Sequence, residues 1–168
     1  MGCGKSSVGR ELSKLLCCPF MDLDDVIEDK SGRTIPDIFA TDGEAVFRQM
    51  ELDALQETTI QEETLVLALG GGTVMTPECA ELVHGHTLCI YLKASVETLV
   101  KHLEGEAEGR PMLTSGGDEG ISPSDALRKR ITELMALRSE TYEKTAHIIL
   151  DTDGKSIEAI ASEIISLI

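Results

Sequence analysis

Short apolar runs alternate with longer amphipathic segments along this chain. The apolar runs, CCPFMD, TLVLAL, TLCIYL and AHIIL, are predicted strands. Eight segments with helical periodicity lie around them, at 4–16, 23–32, 35–43, 43–61, 77–85, 95–106, 122–144 and 156–168. Continuous apolar strands that alternate with helices indicate a parallel sheet covered on both faces. We therefore expect one α/β domain over residues 1–168, with three layers (α/β/α) around a central parallel sheet.

Composition narrows the possible partners and compartments. The 168 residues carry a net charge of −15, which argues against a nucleic-acid partner because phosphate contacts need a basic surface. No run approaches the roughly 18 apolar residues of a membrane span. Five cysteines form no CxxC pair, and the adjacent Cys17 and Cys18 suit buried thiols better than disulfides. We expect a cytoplasmic protein without membrane contact.

The first candidate site is the opening stretch MGCGKSSVGR. Gly4, Lys5 and Ser6 match the end of the phosphate-binding pattern G-x-x-x-x-G-K-[ST], whose first glycine would fall before Met1. In such a loop backbone amides turn toward an anion at a helix N-terminus, the lysine bridges the β- and γ-phosphates, and the serine binds Mg2+. The alternative is a glycine-rich helix start with a chance lysine.

Two carboxylates follow the first predicted strand. Asp22 and Asp24 lie two residues apart at its carboxyl end, so strand periodicity predicts that both side chains leave the same face. Ligands of open α/β sheets bind at that edge. One carboxylate would hold a metal ion and the other would accept a hydroxyl proton. The alternative is a helix cap, since Asp25 and Glu28 continue an acidic first turn.

Two arginines are predicted to point inward. Arg138 continues the helical stripe formed by the apolar residues 127, 131 and 134, and Arg48 lies in register with Leu52 and Leu55. A buried guanidinium needs an anionic partner. Two such arginines near a phosphate loop indicate a small carboxylate or phosphate substrate. A structural ion pair within this acidic chain is the alternative.

Two glycine-rich stretches complete the candidates. Gly70, Gly71 and Gly72 directly follow a predicted strand, which allows backbone to approach a ligand closely; the alternative is a flexible turn. Residues 106–123 are polar and glycine-rich, as in a lid over a site or in a tolerated surface loop. Arg110, in the sequence GRPM of this stretch, would close on a phosphoryl group if the stretch is a lid.

The order of these motifs resembles the shikimate kinases, small P-loop kinases with a nucleoside monophosphate kinase-like fold. The matching stretches run through the whole chain: MGCGKSSVG, FMDLDDVIE, GRTIPDIFATDGEAVFRQME, LALGGGTV, GRPML and LRSETYEKTA. The resemblance implies ATP-dependent phosphorylation of the 3-hydroxyl of shikimate with Mg2+, in the formation of aromatic amino acid precursors. Family habit also implies a monomer.

Site roles follow from the resemblance, position by position. It implies that Asp24, Arg48, Gly71, Gly72 and Arg138 bind shikimate, with Asp24 as the base and the two arginines on the carboxylate. It further implies a pocket wall of Phe39 and Phe47, and orientation of an arginine by Glu51. Lys5, Asp24 and Arg110 would be catalytic, and Ser6 and Asp22 would hold Mg2+. The nucleotide would be bound by Gly2, Cys3, Gly4, Lys5, Ser6, Ser7 and Arg110.

The resemblance also predicts a difference in the sheet. Shikimate kinases begin with a central strand that leads into the phosphate loop, whereas this sequence begins at the loop. We therefore expect a sheet with four of the five parallel strands. Two rival functions remain open at this point. One is another small-molecule kinase, for gluconate or a nucleoside monophosphate, and the other is a non-catalytic ligand-binding remnant.

Overall fold

The computed structural model describes residues 2–60, 63–103 and 122–168. The elements are α1 (Lys5–Leu16), β1 (Phe20–Asp22), α2 (Leu23–Ser31), α3 (Ile35–Thr41), α4 (Gly43–Thr59), β2 (Val66–Ala68), a 3-10 turn (Thr73–Met75), α5 (Pro77–His86), β3 (Ile90–Lys93), α6 (Val96–Leu103), α7 (Pro123–Thr145), β4 (Ile148–Asp151) and α8 (Ile157–Leu167). All eight predicted helices and all four strands are present, and the strands are shorter than predicted. None of the helices in these ranges is long and apolar enough to cross a membrane.

The four strands form two parallel pairs. β1 pairs with β2 from Phe20–Val66 to Asp22–Ala68, and β3 pairs with β4 over four residues. Within the described ranges neither pair has a third strand, so the expected single sheet is wrong in that respect. The predicted parallel direction of the strands is confirmed. The sheet is not continuous, because β2 and β3 do not hydrogen-bond to each other.

An apolar cavity of about 600 Å3 separates the two pairs. Its lining includes Val66 and Ala68 from β2, Ile90 and Leu92 from β3, and side chains from α1. The helix α1 spans the gap, since Val8 packs in a cluster that reaches both strand pairs. The two halves are therefore joined by helix packing rather than by a continuous hydrogen-bond ladder.

The long helix α7 follows its predicted stripe. Leu127, Ile131 and Leu134 are buried, and Arg138 continues the same face with only 9% of its surface exposed. Helical periodicity is a local property of the sequence, so this inward arginine was predictable. The expectation that Cys17 and Cys18 are buried is wrong, since Cys17 is exposed and Cys18 is half-buried. Cys17 ends α1 in a left-handed conformation (φ 52°).

Gly9 packs closely against Phe20 of β1. A Cβ at Gly9 would lie 2.5 Å from the ring of Phe20, and Arg10 stacks over that ring. The G9A variant should lower the free energy of unfolding by about 1–2 kcal/mol, because overpacking outweighs the better helix propensity of alanine. Chemical denaturation measures the change.

Gly85 provides the matched control. It lies in α5, where a Cβ would meet no atom within 4 Å. The G85A variant should be stabilised by up to about 1 kcal/mol, because only the propensity gain remains. Equal effects of the two substitutions would contradict the close packing of α1 on β1.

Candidate active site

The start of α1 has the geometry of an anion-binding loop. Gly2 and Gly4 have φ angles of 66° and 75°, which favour glycine, and a Cβ at Gly2 would lie 2.8 Å from Leu103. Gly4 caps α1, and no side-chain hydrogen bond caps the first turn within the part of the chain that the structure describes. The carbonyl of Gly2 lies 2.8 Å from Nδ1 of His102, which fixes the loop to α6. Such a helix start is suited to phosphate.

Ser6 and Asp22 are joined directly. The Ser6 hydroxyl donates to Oδ2 of Asp22 at 2.6 Å, and Oδ1 of Asp22 accepts from the amide of Asp24 at 3.2 Å. Asp22 is thus the N-cap of α2, and Asp24 lies in its first helical turn. The strand-periodicity argument for Asp22 and Asp24 is therefore wrong. Asp22 and Asp24 lie close together because Asp22 caps a helix that begins directly after β1.

The carboxyl group of Asp24 is strongly perturbed. Burial, followed by the negative charges of Asp22 and Glu51, raises its pKa from 3.8 to about 6, and nearby Lys5 opposes this shift. At neutral pH the group is still ionised. Asp24 is therefore a carboxylate whose proton affinity is close to that of a general base working near neutrality.

Arg48 is held by two carboxylates of its own helix. Its Nη1 donates to Oε2 of Glu51, while Nη2 and Nε donate to Oε1 of Glu44 at 2.9 and 3.3 Å. The other oxygen of Glu51 accepts from Thr73 Oγ1 at 2.6 Å, and Glu51 is only 1% exposed. Burial disfavours the charged guanidinium, but Glu51 and Glu44 outweigh that effect and raise the pKa of Arg48.

The glycines after β2 leave room for these charged groups. A Cβ at Gly72 would lie 2.6 Å from both Nη atoms of Arg48, and one at Gly70 would lie 3.0 Å from Oδ1 of Asp24. Neither glycine has a positive φ. Space rather than backbone conformation therefore requires glycine at these two positions.

Arg138 reaches the same loop from α7. Its Nη1 donates to the carbonyl of Gly71 at 3.1 Å, and the hydroxyl of Tyr142 donates to that same oxygen. Tyr142 lies one helical turn after Arg138, and burial raises the pKa of its hydroxyl. The structure thus brings Arg138, Arg48 and Asp24 to one glycine loop.

The remaining predicted site residues lie in different surroundings. The ring centroids of Phe39 and Phe47 lie 4.8 Å apart with the rings tilted by 42°, and Arg48 lies over the ring of Phe47. Cys3 packs among apolar side chains, and Ser7 is exposed. Arg110 and the predicted lid, up to residue 121, lie outside the described residues. In the part of the chain that the structure describes, no group of three or more His, Cys, Asp or Glu side chains could hold a metal ion.

Three residues of this site were given no role from the sequence. Glu44 had a local signal, since it precedes Arg48 by four positions and such pairs meet on a helix. Tyr142 had one as well, because it follows Arg138 by one helical turn on the same stripe. Thr73 had none, since it meets Glu51 from a different element, 22 residues away.

The shikimate kinase family model matches residues 1–168. This chain belongs to the shikimate kinase family. It is 38% identical to the shikimate kinase of Dictyoglomus turgidum over 167 residues, which are 98% of this chain and 91% of that protein. It is 40% identical to the Thermus thermophilus shikimate kinase over 165 residues, covering 98% of this chain and 84% of that one.

Solved shikimate kinases support the same assignment. The fold matches the Acinetobacter baumannii shikimate kinase in complex with shikimate with a TM-score of 0.89 and 33% identity. That match covers 99% of this chain and 87% of the other. The mixed α/β fold with parallel strands is therefore that of the shikimate kinases.

The raised pKa of Asp24 gives a prediction for stability. Because the folded-state pKa is about 6 and the ordinary value is 3.8, ionised Asp24 destabilises the fold above pH 6. The D24N variant should therefore be more stable than the parent at pH 8, by about 1–2 kcal/mol after allowance for solvent screening.

The advantage of D24N should shrink as the pH falls from 6 toward 3.8 and vanish below 3.8, where Asp24 is protonated in both the folded and the unfolded chain. Urea denaturation at four pH values between 4 and 8 measures it. A D29N variant, which changes an exposed carboxylate of the same helix, is the control. A pH-independent difference would show that Asp24 does not titrate as described.

Proposed function

We propose that this chain transfers the γ-phosphoryl group of ATP to the 3-hydroxyl of shikimate, giving shikimate 3-phosphate and ADP. The observation that carries the proposal is the convergence of Arg48 and Arg138 on the Gly71–Gly72 loop, in a chain that matches the family throughout. Two guanidinium groups at one loop suit a small carboxylate. Shikimate combines such a carboxylate with hydroxyl groups.

The substrate side of the proposed site consists of residues from four parts of the fold. Arg48 and Arg138 bind the carboxylate, and the backbone of Gly71 and Gly72 approaches the ring. Asp24 accepts a hydrogen bond from the reacting hydroxyl. Phe39 and Phe47 wall the pocket beside Arg48.

The nucleotide side is formed by the loop before α1. Gly2, Cys3, Gly4 and Ser7 present backbone amides to the phosphates, and Lys5 neutralises charge between the β- and γ-phosphates. Arg110, outside the described residues, is proposed to reach the same phosphates.

Ser6 and Asp22 are the proposed magnesium residues. Their hydroxyl and carboxylate oxygens lie 2.6 Å apart and are the hard oxygen donors that Mg2+ prefers. Few protein ligands are expected for this ion, because Mg2+ in kinases keeps waters and binds substrate phosphates. When bound, Mg2+ neutralises the developing charge on the phosphates.

The chemical step is an in-line displacement. The 3-hydroxyl oxygen of shikimate forms a bond to the γ-phosphorus, and the bond from that phosphorus to the β–γ bridging oxygen breaks. The hydroxyl proton passes to Asp24, which is ionised at neutral pH. Positioning and charge neutralisation supply most of the rate acceleration in such transfers.

Several wider features belong to the same proposal. We propose a single-domain, cytoplasmic monomer with a lid at 106–123, acting on small molecules in the formation of aromatic amino acid precursors. Neither a nucleic acid nor a membrane is part of this function.

The decisive experiment is ADP release from Mg-ATP with shikimate present or withheld, compared with gluconate and AMP as acceptors. A thermal melt on the same sample reports folding. Release that requires shikimate supports the proposal, and release with gluconate or AMP instead would favour another kinase. Nucleotide binding by a folded sample without turnover would favour a ligand-binding remnant.

The R138Q variant tests the substrate site. Loss of this charged contact should lower kcat/KM for shikimate about 100-fold. The control is R128Q, on the same helix, where Arg128 forms an exposed pair with Glu97 at 2.7 Å. Equal activity of R138Q and R128Q would contradict the assignment of Arg138.

The finer fold proposed here is a three-layer α/β/α sandwich whose central sheet takes another parallel strand between β2 and β3. Both facing edges lack strand partners within the described ranges, and the cavity between them is lined by apolar side chains. Cys3 packs against the buried cluster shared by α6 and α7, as do Ala94 and Val96, which follow β3 in the sequence. A segment joined ahead of Gly2 would thus traverse the cavity parallel to its neighbours.

An added strand tests this proposal. Six aliphatic residues placed before Met1 should raise the melting temperature by about 5 °C or more, since they pair two open edges and bury apolar surface. A control extension with two prolines cannot complete the hydrogen-bond ladders. Equal melting temperatures for the two extensions would refute the strand site.

A further inference from the structure

Arg48 has a partner on each edge of its guanidinium group. Nη1 is bound by Glu51, while Nε and Nη2 together are bound by a single oxygen of Glu44. A planar guanidinium binds a carboxylate best through two parallel donors on one edge. The Nε/Nη2 edge that such a carboxylate would use is already bound by a carboxylate of the protein itself.

The two glutamates differ in how firmly they are held. Glu51 is 1% exposed, and Thr73 binds its second oxygen at 2.6 Å. The Glu44 side chain is 55% exposed and lies in the first turn of α4. Moving Glu51 would bury an unpaired charge, whereas Glu44 can turn into water at little cost.

The guanidinium has no room to move away from Glu44 toward the glycine loop. A Cβ at Gly72 would already lie 2.6 Å from both of its Nη atoms, so the group packs directly against that backbone. An incoming carboxylate at the Nε/Nη2 edge must therefore displace Glu44.

We propose that Glu44 is a resident carboxylate that pairs with Arg48 in the free protein and is replaced by the carboxylate of the substrate. This inference rests on the proposed function, in which Arg48 binds that carboxylate. Arg48 is therefore paired with a carboxylate both before and after the substrate binds. Because the substrate must displace Glu44, the presence of Glu44 lowers the affinity for the substrate. Glu44 is thus a positioning residue whose charge sets the affinity for shikimate.

The size of the effect follows from two contributions. Exposed pairs four residues apart on a helix are worth at most about a factor of two in an equilibrium constant. Removal of a negative charge a few ångströms from the incoming carboxylate adds a factor of about two to five. The E44Q variant should therefore bind shikimate about 3- to 10-fold more tightly.

The experiment measures binding of shikimate and of its methyl ester to the parent and to E44Q by calorimetry, at fixed ionic strength. The dissociation constant for shikimate should fall 3- to 10-fold, while that for the uncharged ester should not change. In steady-state assays KM for shikimate should fall and kcat should stay within about twofold. A thermal melt confirms that both samples are folded.

The matched control is D53N. Asp53 accepts a hydrogen bond from Gln49 at 2.8 Å on the exposed side of α4, so D53N removes the same charge from the same helix without touching Arg48. Shikimate affinity should be unchanged. Equal tightening in D53N and E44Q would replace the proposal with a general charge effect.

The sign of the change separates the alternatives. Weaker shikimate binding by E44Q would mean that Glu44 holds Arg48 in place for the substrate, and it would overturn the inference. Unchanged binding would do the same. A folded parent chain that binds no shikimate would instead overturn the proposed function, on which this inference rests.

Discussion

The candidate site depends on the hydrogen bonds of the buried Glu51 carboxylate. It accepts hydrogen bonds from Arg48 and from Thr73, and so it joins α4 to the turn after the glycine loop. A buried carboxylate is stable only when such partners satisfy it. Because both oxygens are bound, Glu51 fixes the guanidinium of Arg48 against Gly72. The same negative charge contributes to the raised pKa of Asp24.

The site therefore holds positive and negative side chains close together. Asp22 and Glu51 add negative charge around Asp24 and Lys5 opposes it, while Arg48 and Arg138 lie at the neighbouring glycine loop. This arrangement lowers the free energy of unfolding at neutral pH, because the ionised form of Asp24 is less stable in the folded protein than in water. Such local destabilisation is typical of catalytic groups, whose proton affinity is adjusted by their surroundings.

Local patterns in the sequence predicted most of the secondary structure and part of the candidate site. The helical stripe of α7 identified Arg138 as inward, because helix periodicity depends only on near neighbours. The strand argument for Asp24 was wrong, since it assumed a strand where the capping hydrogen bond of Asp22 starts a helix. The contact of Thr73 with Glu51 and the separation of β2 from β3 depend on residues far apart in sequence, for which no local pattern exists. The motif order supplied the family, which periodicity alone could not.

The two halves of the fold support different parts of the site. Arg48, Glu51 and the glycine loop belong to the half built around β1 and β2, with its own core cluster under α2 and α4. The proposed phosphate loop depends instead on contacts across the cavity: Cys3 packs into clusters of the other half, and His102 meets the carbonyl of Gly2. The proposed shikimate site therefore depends less on the region between β2 and β3 than the proposed nucleotide loop does. Structural loosening in that region would disturb the proposed phosphate loop before it disturbed the proposed carboxylate site.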